Sequence, residues 1–73
     1  MRRKRWTETG KGQRGSVFVS SKGEIVQAKR VNRTVGGLQI WELTYLPLKG
    51  RKRVKKVYLK NRRELRKVIR ETF

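Results

Sequence analysis

The clearest hydrophobic pattern in the chain is an alternating, β-rich run from Leu38 to Leu46, which is typical of a strand. Two glycines precede the run and a proline follows it, and these residue types mark turns. Alternation places Trp41 and Leu43 on one strand face and Glu42 and Thr44 on the other. The run therefore predicts a central strand that buries one face and leaves the other free to meet a partner.

Shorter strand-like patterns occupy residues 15–20, 24–28 and 52–59. The turn-forming residues 21–23 join the first two segments into a hairpin. Residues 29–35 mix apolar and basic side chains. This mixture fits either a long, bent continuation of the second strand or a strand followed by a loop.

A C-terminal helix is predicted by the spacing of Leu65, Val68 and Ile69, which form an apolar stripe among basic residues. Asn61 is the expected N-cap, and Glu64 lies at the spacing of a capping box. We expect the stripe to pack on the sheet. The alternative is a basic amphipathic helix that docks on a partner protein or a membrane surface.

With 73 residues, of which 34% are hydrophobic, the chain can form one small domain but no deep catalytic cleft. The predicted fold class is α+β, with a small three- to four-stranded antiparallel sheet packed on one C-terminal α-helix. Residues 1–14 are expected to form a flexible, disordered basic arm. Residues 15–73 are expected to form a nucleic-acid-binding domain.

The charge of the chain indicates a polyanionic partner. Twenty-two Lys and Arg face five acidic residues, for a formal net charge of +17 and a sequence pI near 11.7. Such a protein repels itself unless a polyanion neutralises it. We expect the partner to be nucleic acid, duplex DNA in preference to RNA, and the location to be the cytoplasm, in a nucleoid or a host cell. Neither a signal peptide nor a membrane span is expected, because no apolar run follows the basic N-terminus or approaches about 20 residues.

The side chains that most enzymes use for catalysis are missing. The chain contains no His, Cys or Asp, and its five Glu are scattered singly. Acid-base and metal-assisted chemistry therefore lack their usual groups, and disulfides are excluded. We expect a non-enzymatic protein with no cofactor, no metal and no small-molecule substrate. The oligomeric state is left open.

The candidate contacts to nucleic acid are the cations of the arm and of the basic segments, together with polar groups on the outward strand faces. They are Arg2, Arg3, Lys4, Arg5, Arg14, Lys29, Arg30, Arg33, Thr44, Arg51, Lys52, Arg53, Lys55, Lys56 and Tyr58. The alternative is that the arm is a soluble charged tail and that the basic segments are only solvated surface.

Several short motifs occur in a familiar order, namely Arg14-Gly15-Ser16-Val17, Trp41-Glu42-Leu43, Gly50-Arg51-Lys52, Lys56-Val57-Tyr58-Leu59 and Lys60-Asn61-Arg62-Arg63-Glu64-Leu65. With these motifs the chain from residue 15 to 73 resembles the arm-DNA-binding N-terminal domains of tyrosine recombinases. Those domains are similar in fold to plant DNA-binding domains that consist of three strands and a helix.

The resemblance implies a sheet that packs one face on the helix and lays the other face in the DNA major groove. It implies a core of Val17, Trp41, Leu43, Val57, Leu59, Leu65, Val68 and Ile69, and a DNA-facing set of Glu42, Thr44, Lys56 and Tyr58. Residues 20–35 are long for the first hairpin of that family, and we expect no recombinase catalytic domain after residue 73. The resemblance therefore implies binding only, as a regulator or architectural factor of a virus, a mobile element or an archaeon.

Two other functions fit the same residues. An RNA-binding protein of the ribosomal or chaperone type would stack bases on Trp6, Phe18 and Tyr58. A basic protein-interaction module would instead dock its helix on an acidic partner or pair its strands edge to edge. The abundance of Lys, Arg, Val and Glu, with little Gln or Asn, also indicates a thermophilic source.

Overall fold

The computed structural model describes residues 4–73, which form one antiparallel sheet and one helix. The elements are β1 (Trp6–Thr9), β2 (Gly15–Ser20), β3 (Ile25–Val35), β4 (Leu38–Leu46), β5 (Arg53–Leu59) and α1 (Glu64–Thr72). The strands lie in the sheet in their chain order, each antiparallel to its neighbour. The α+β class is confirmed, but the sheet has five strands rather than three or four.

The additional strand comes from the segment predicted to be a disordered arm. β1 pairs with β2, with Trp6 opposite Ser20 and Thr9 opposite Val17. The Trp6 side chain is 2% exposed and belongs to the hydrophobic core. Disorder over residues 6–9 is therefore wrong, because burial of one large aromatic side chain offsets the cost of ordering a short polar strand. Residues 1–3 lie outside the described part of the chain.

β3 is the long, bent strand rather than a strand followed by a loop. Between the pairs Arg30 with Trp41 and Thr34 with Gln39, β3 contributes three residues and β4 only Ile40. This bulge bends the outer half of β3. The following turn is formed by Gly36 and Gly37, whose φ values of 57° and 79° suit glycine and the tight turn of a two-residue hairpin.

The core lies between the sheet and α1. Trp41 and Leu43 of β4 face the helix, as predicted, and Leu65 and Ile69 of α1 are fully buried against them. The expectation that the apolar stripe packs on the sheet is therefore confirmed. Leu59 is also buried as predicted, whereas Val57 and Val68 are only partly buried at the edge of this cluster. A short antiparallel sheet with one helix across it is a two-layer architecture.

β2 faces the core with a different side chain from the one predicted. Phe18 is 1% exposed and belongs to the core, whereas Val17 points to the opposite face. The reason is the pairing with β1 and β3, which places Phe18 beside Val26 and puts Ser16 and Ser20 on the same inner face. Val17 is therefore a surface residue of the sheet.

The helix begins two residues later than predicted. α1 starts at Glu64, and its N-cap position is Arg63, which makes no side-chain cap. Asn61 instead accepts a hydrogen bond from the Arg63 backbone N–H at 3.0 Å, and the Glu64 carboxylate accepts one from the Lys60 backbone N–H at 2.8 Å. The two side chains thus satisfy backbone donors in the turn before the helix. At nine residues, α1 is the sole helix of residues 4–73 and is too short to cross a membrane.

Candidate functional site

The sheet face that points away from α1, called the outer face below, carries no packed layer of residues 4–73. Its cross-strand rows are Thr7, Val19, Ile25 and Leu46; Thr9, Val17, Gln27, Thr44 and Val54; Gly15, Lys29, Glu42 and Lys56; and Ile40 with Tyr58. Apart from Ile40, all of these side chains are exposed or half-buried. The outer face is therefore a mixed polar and aliphatic surface open to a partner.

The centre of the outer face holds several of the predicted contacts. Lys29 and Lys56 stand on either side of Glu42, as direct cross-strand neighbours. Thr44 lies one row away, and Tyr58 is 54% exposed on the edge strand β5. Both lysines are exposed, so their charges are available to a ligand, and Glu42 is their shared acidic cross-strand neighbour.

The bulge in β3 builds a basic groove at one end of the outer face. This groove, of about 350 Å³, is lined by Arg14, Lys29, Arg30, Val31, Asn32 and Glu42. The Arg30 backbone N–H donates to the Arg14 carbonyl at 2.8 Å, so the loop before β2 is held against the bulge. Three of the predicted contacts, Arg14, Lys29 and Arg30, are thereby brought together, and Arg33 lies in the same bulge.

The predicted contacts at the β4–β5 end divide between the two faces of the sheet. Lys56 belongs to the outer face, whereas Arg53 and Lys55 are on the face of α1, opposite Tyr45 and Leu43. Arg51 and Arg53 line a groove of about 380 Å³ beside the C-terminus of α1. Lys52 immediately precedes β5 and is exposed. These cations therefore surround the edge strand instead of forming one flat surface.

At the N-terminus, the structure uses one predicted contact to hold the fold together. The Lys4 ammonium lies 2.9 Å from Glu24 Oε1 and 5.5 Å from the centroid of the Trp6 ring. Glu24 also accepts hydrogen bonds from the hydroxyls of Tyr45 and Ser20. Arg5 is exposed, whereas Arg2 and Arg3 lie outside the described residues. Lys4, which the sequence predicts as a contact to nucleic acid, therefore also stabilises the fold.

The pKa of Glu24 reflects this cluster. The hydrogen bond from Tyr45 is the main cause that holds the pKa of the Glu24 carboxyl below its ordinary value of 4.5, and Lys4 and Ser20 act in the same direction against desolvation. The same hydrogen bond raises the pKa of Tyr45 above 10.0. Ionised Glu24 therefore favours the folded state.

Glu24→Gln is expected to lower the melting temperature at pH 7, because it removes a carboxylate that is stabilised only in the folded chain. A lowered folded-state pKa contributes stability above the unfolded value, and that contribution is lost as the pH falls from about 4.5 through the folded value. The gap between wild type and variant should thus close on acidification, which thermal melts over a pH series measure. Glu71→Gln, at an exposed helix position, is the control, and a gap that does not change with pH would contradict this role.

Arg62 has a structural role that its sequence context does not distinguish from its basic neighbours. It donates to the carbonyls of Gly12 and Gly15, the latter at 2.9 Å, and to the Ser16 hydroxyl. Its guanidinium also lies 5.7 Å from the centroid of the Trp41 ring and 3.7 Å from Glu8 Oε2. The Arg62 side chain therefore holds the β1–β2 loop against the start of the helix.

The remaining cations are free to bind an anion. Within residues 4–73, every Lys and Arg except Lys4 and Arg62 is exposed, and only those two form ion pairs. The same residues contain no cluster of three His, Cys, Asp or Glu side chains that could hold a metal ion. The described surface is thus strongly cationic, with only two of its cations compensated by ion pairs.

Comparison of the chain with protein-family models, with curated proteins and with solved structures gives no match.

Proposed function

We propose that this protein is a non-enzymatic DNA-binding protein that lays the outer face of its sheet against a duplex. The observation that carries the proposal is the open sheet face bordered by uncompensated cations, with Lys29 and Lys56 on the face. Arg14 and Arg30 line the groove beside Lys29 at the β3 bulge, and Arg33 lies in the bulge. Arg51 and Lys52 precede β5 at the opposite end of the strands. Lys and Arg contacts to phosphates provide most of the affinity of such proteins for nucleic acid.

The part of the outer face formed by β3, β4 and β5 suits the major groove, whereas all five strands together are wider than the groove. Neighbouring strands are about 4.8 Å apart, so β3, β4 and β5 span about 10 Å, and the major groove of B-DNA is about 12 Å wide and admits a β-ribbon. In this pose Thr44, Gln27 and Tyr58 reach base edges, while the cations at the rim contact the two phosphate backbones. Glu42 can accept a hydrogen bond from the amino group of a cytosine. Without such a base opposite it, the Glu42 carboxylate would only repel the phosphates.

The positions of the aromatic side chains support recognition of single-stranded RNA less well than binding of a duplex. That function needs exposed rings on which unstacked bases can lie. Trp6 is 2% exposed and Phe18 is 1% exposed, and both pack in the core. Of the three aromatics considered for stacking, Tyr58 alone is accessible, at 54%. The buried rings therefore favour duplex binding through the strands.

The proposal makes a quantitative prediction for salt. If about six phosphates are engaged, a plot of log affinity against log salt concentration should have a slope of roughly −5. Fluorescence anisotropy with matched duplex DNA, single-stranded DNA and duplex RNA, with random competitor present, measures the slope for each. Tight duplex-DNA binding that withstands competitor would support use of the sheet face. A slope near zero would rule out this mechanism, and equal, steeply salt-dependent binding to all three would replace it with binding by charge alone.

A further inference from the structure

A second cationic surface lies on the side of the molecule opposite the outer face. Residues 4–6 and α1 enclose a groove of about 350 Å³, called the helix groove below, which is lined by Lys4, Arg5, Trp6, Arg66 and Arg70. Next to it, a groove of about 430 Å³ is lined by Glu8, Lys11, Phe18, Arg62, Arg63 and Arg66. Because Arg66 lines both, the two grooves form one continuous strip along the helix.

The carboxylates beside this strip already have hydrogen-bond or ion-pair partners within the fold. Glu8 is bound by the Ser16 hydroxyl and lies 3.7 Å from Arg62, and Glu24 lies 2.9 Å from Lys4. The five exposed cations of the strip are Arg5, Lys11, Arg63, Arg66 and Arg70, and none of them has a carboxylate within ion-pair distance among residues 4–73. The strip therefore has a net positive charge that the fold does not neutralise.

The geometry of the strip matches a nucleic-acid backbone. Arg63, Arg66 and Arg70 have the i, i+3, i+7 spacing of one helix face, and they span about 10 Å along the axis. One strand of B-DNA passes about three phosphates in that distance. The side chain of Arg66 is also held in place, because its Nε donates to the Trp6 carbonyl at 3.0 Å. A pre-positioned cation loses less side-chain entropy on binding.

We propose that the helix groove and its neighbour bind the phosphate backbone of a second duplex, so that one molecule joins two DNA segments. This inference rests on the proposed function of the outer face. The two surfaces are separated by the sheet and by the core of Phe18, Trp41 and Leu43, and a straight duplex on the outer face does not reach α1. The protein is then an architectural factor with two backbone sites.

The test separates bridging from simple binding. The wild-type chain is loaded on a bead-immobilised duplex, and capture of a free fluorescent duplex is measured beside the affinity for one short duplex. Arg63→Gln with Arg70→Gln should reduce capture by roughly 50-fold at 0.1 M salt, since each lost phosphate contact is worth about 8-fold there. Affinity for a single duplex should change by less than about 3-fold.

The matched control is Lys49→Gln with Lys67→Gln, which removes the same charge from exposed positions that line neither groove of the strip. This control should still capture the second duplex. Equal capture by the Arg63/Arg70 variant and the control would overturn the proposal, since bridging would then come from general charge or from self-association. A wild-type chain that binds one duplex and captures no other would also overturn it. Failure to bind any duplex would instead overturn the proposed function of the outer face and this inference together.

Discussion

Trp6→Ala is expected to remove a large share of the free energy of unfolding at 25 °C, about 3–5 kcal/mol. The ring is 2% exposed in the core although it lies in the first strand, and truncation of a buried Trp or Phe costs about 3–5 kcal/mol. At about 0.05–0.15 kcal/mol per residue, a chain of this length has only about 4–11 kcal/mol of stability. Urea denaturation followed by circular dichroism, with tryptophan fluorescence from Trp41, measures the loss.

Thr7→Ala is the matched control, because Thr7 is the next residue of β1 and is exposed on the outer face. It should change the free energy of unfolding by less than about 0.5 kcal/mol. If Trp6→Ala were as mild as Thr7→Ala, the N-terminal segment would behave as the disordered arm that its composition predicts, and β1 would contribute nothing to the stability of the sheet.

Neutralising Lys29 and Lys56 together is expected to weaken binding to duplex DNA by roughly 50-fold at 0.1 M salt. Each lost phosphate contact removes about 0.9 from the log-log salt slope, so the slope should become shallower by about two units. The effect is enhanced because Glu42, which stands between the two lysines, would then face the phosphates alone. Anisotropy titrations of Lys29→Gln with Lys56→Gln over a salt series measure both quantities.

The control is Lys22→Gln with Lys67→Gln, which has the same net charge as the Lys29/Lys56 variant. It tests whether the position of the lost charges affects binding. Lys22 lies in the β2–β3 turn and Lys67 on the exposed side of α1, and neither belongs to the rows of the outer face. This control should lose only a few-fold in affinity through the general field of the protein. Similar losses in the two variants would show that DNA does not lie on the outer face and that binding comes from the general charge of the protein.

The cationic surface also has a cost for the fold. With a formal net charge of +17 and only two ion pairs among residues 4–73, like charges on β5 and α1 repel in the absence of a ligand. Several core contacts offset that repulsion, among them the stack of Tyr45 on Phe73, whose ring centroids are 4.7 Å apart. A polyanion on either face would relieve the repulsion and so stabilise the folded chain by linkage.

Local patterns in the chain were sufficient for the strongest elements. The predicted central strand coincides with β4, with Trp41 and Leu43 inward and Glu42 and Thr44 outward. The last strand was predicted within one residue of β5, and the apolar stripe of α1 was predicted with its buried side chains. These elements were predictable because a clear apolar period specifies both the structure and the buried face.

Long-range pairing determined what the local pattern left ambiguous. β2 is apolar on both faces, so alternation does not distinguish Val17 from Phe18, and the registers with β1 and β3 select Phe18 for the core. Trp6 stands alone in a polar, basic segment, and it becomes a core residue only because β1 pairs with β2 beneath α1. The bulge of β3 likewise depends on the register with β4.

The same division holds for the candidate sites. The number and sign of the charges, and the lack of His, Cys and Asp, are properties of composition and follow from the amino acids alone. Which cations stay free and which hold the fold depends on three-dimensional contacts. Lys4 and Arg62 are bound to Glu24 and to the β1–β2 loop, while Arg66 and Arg70 meet Arg5 across a groove. Sequence separation hides these contacts, because residues about 60 positions apart become neighbours only when the helix closes over the first strand.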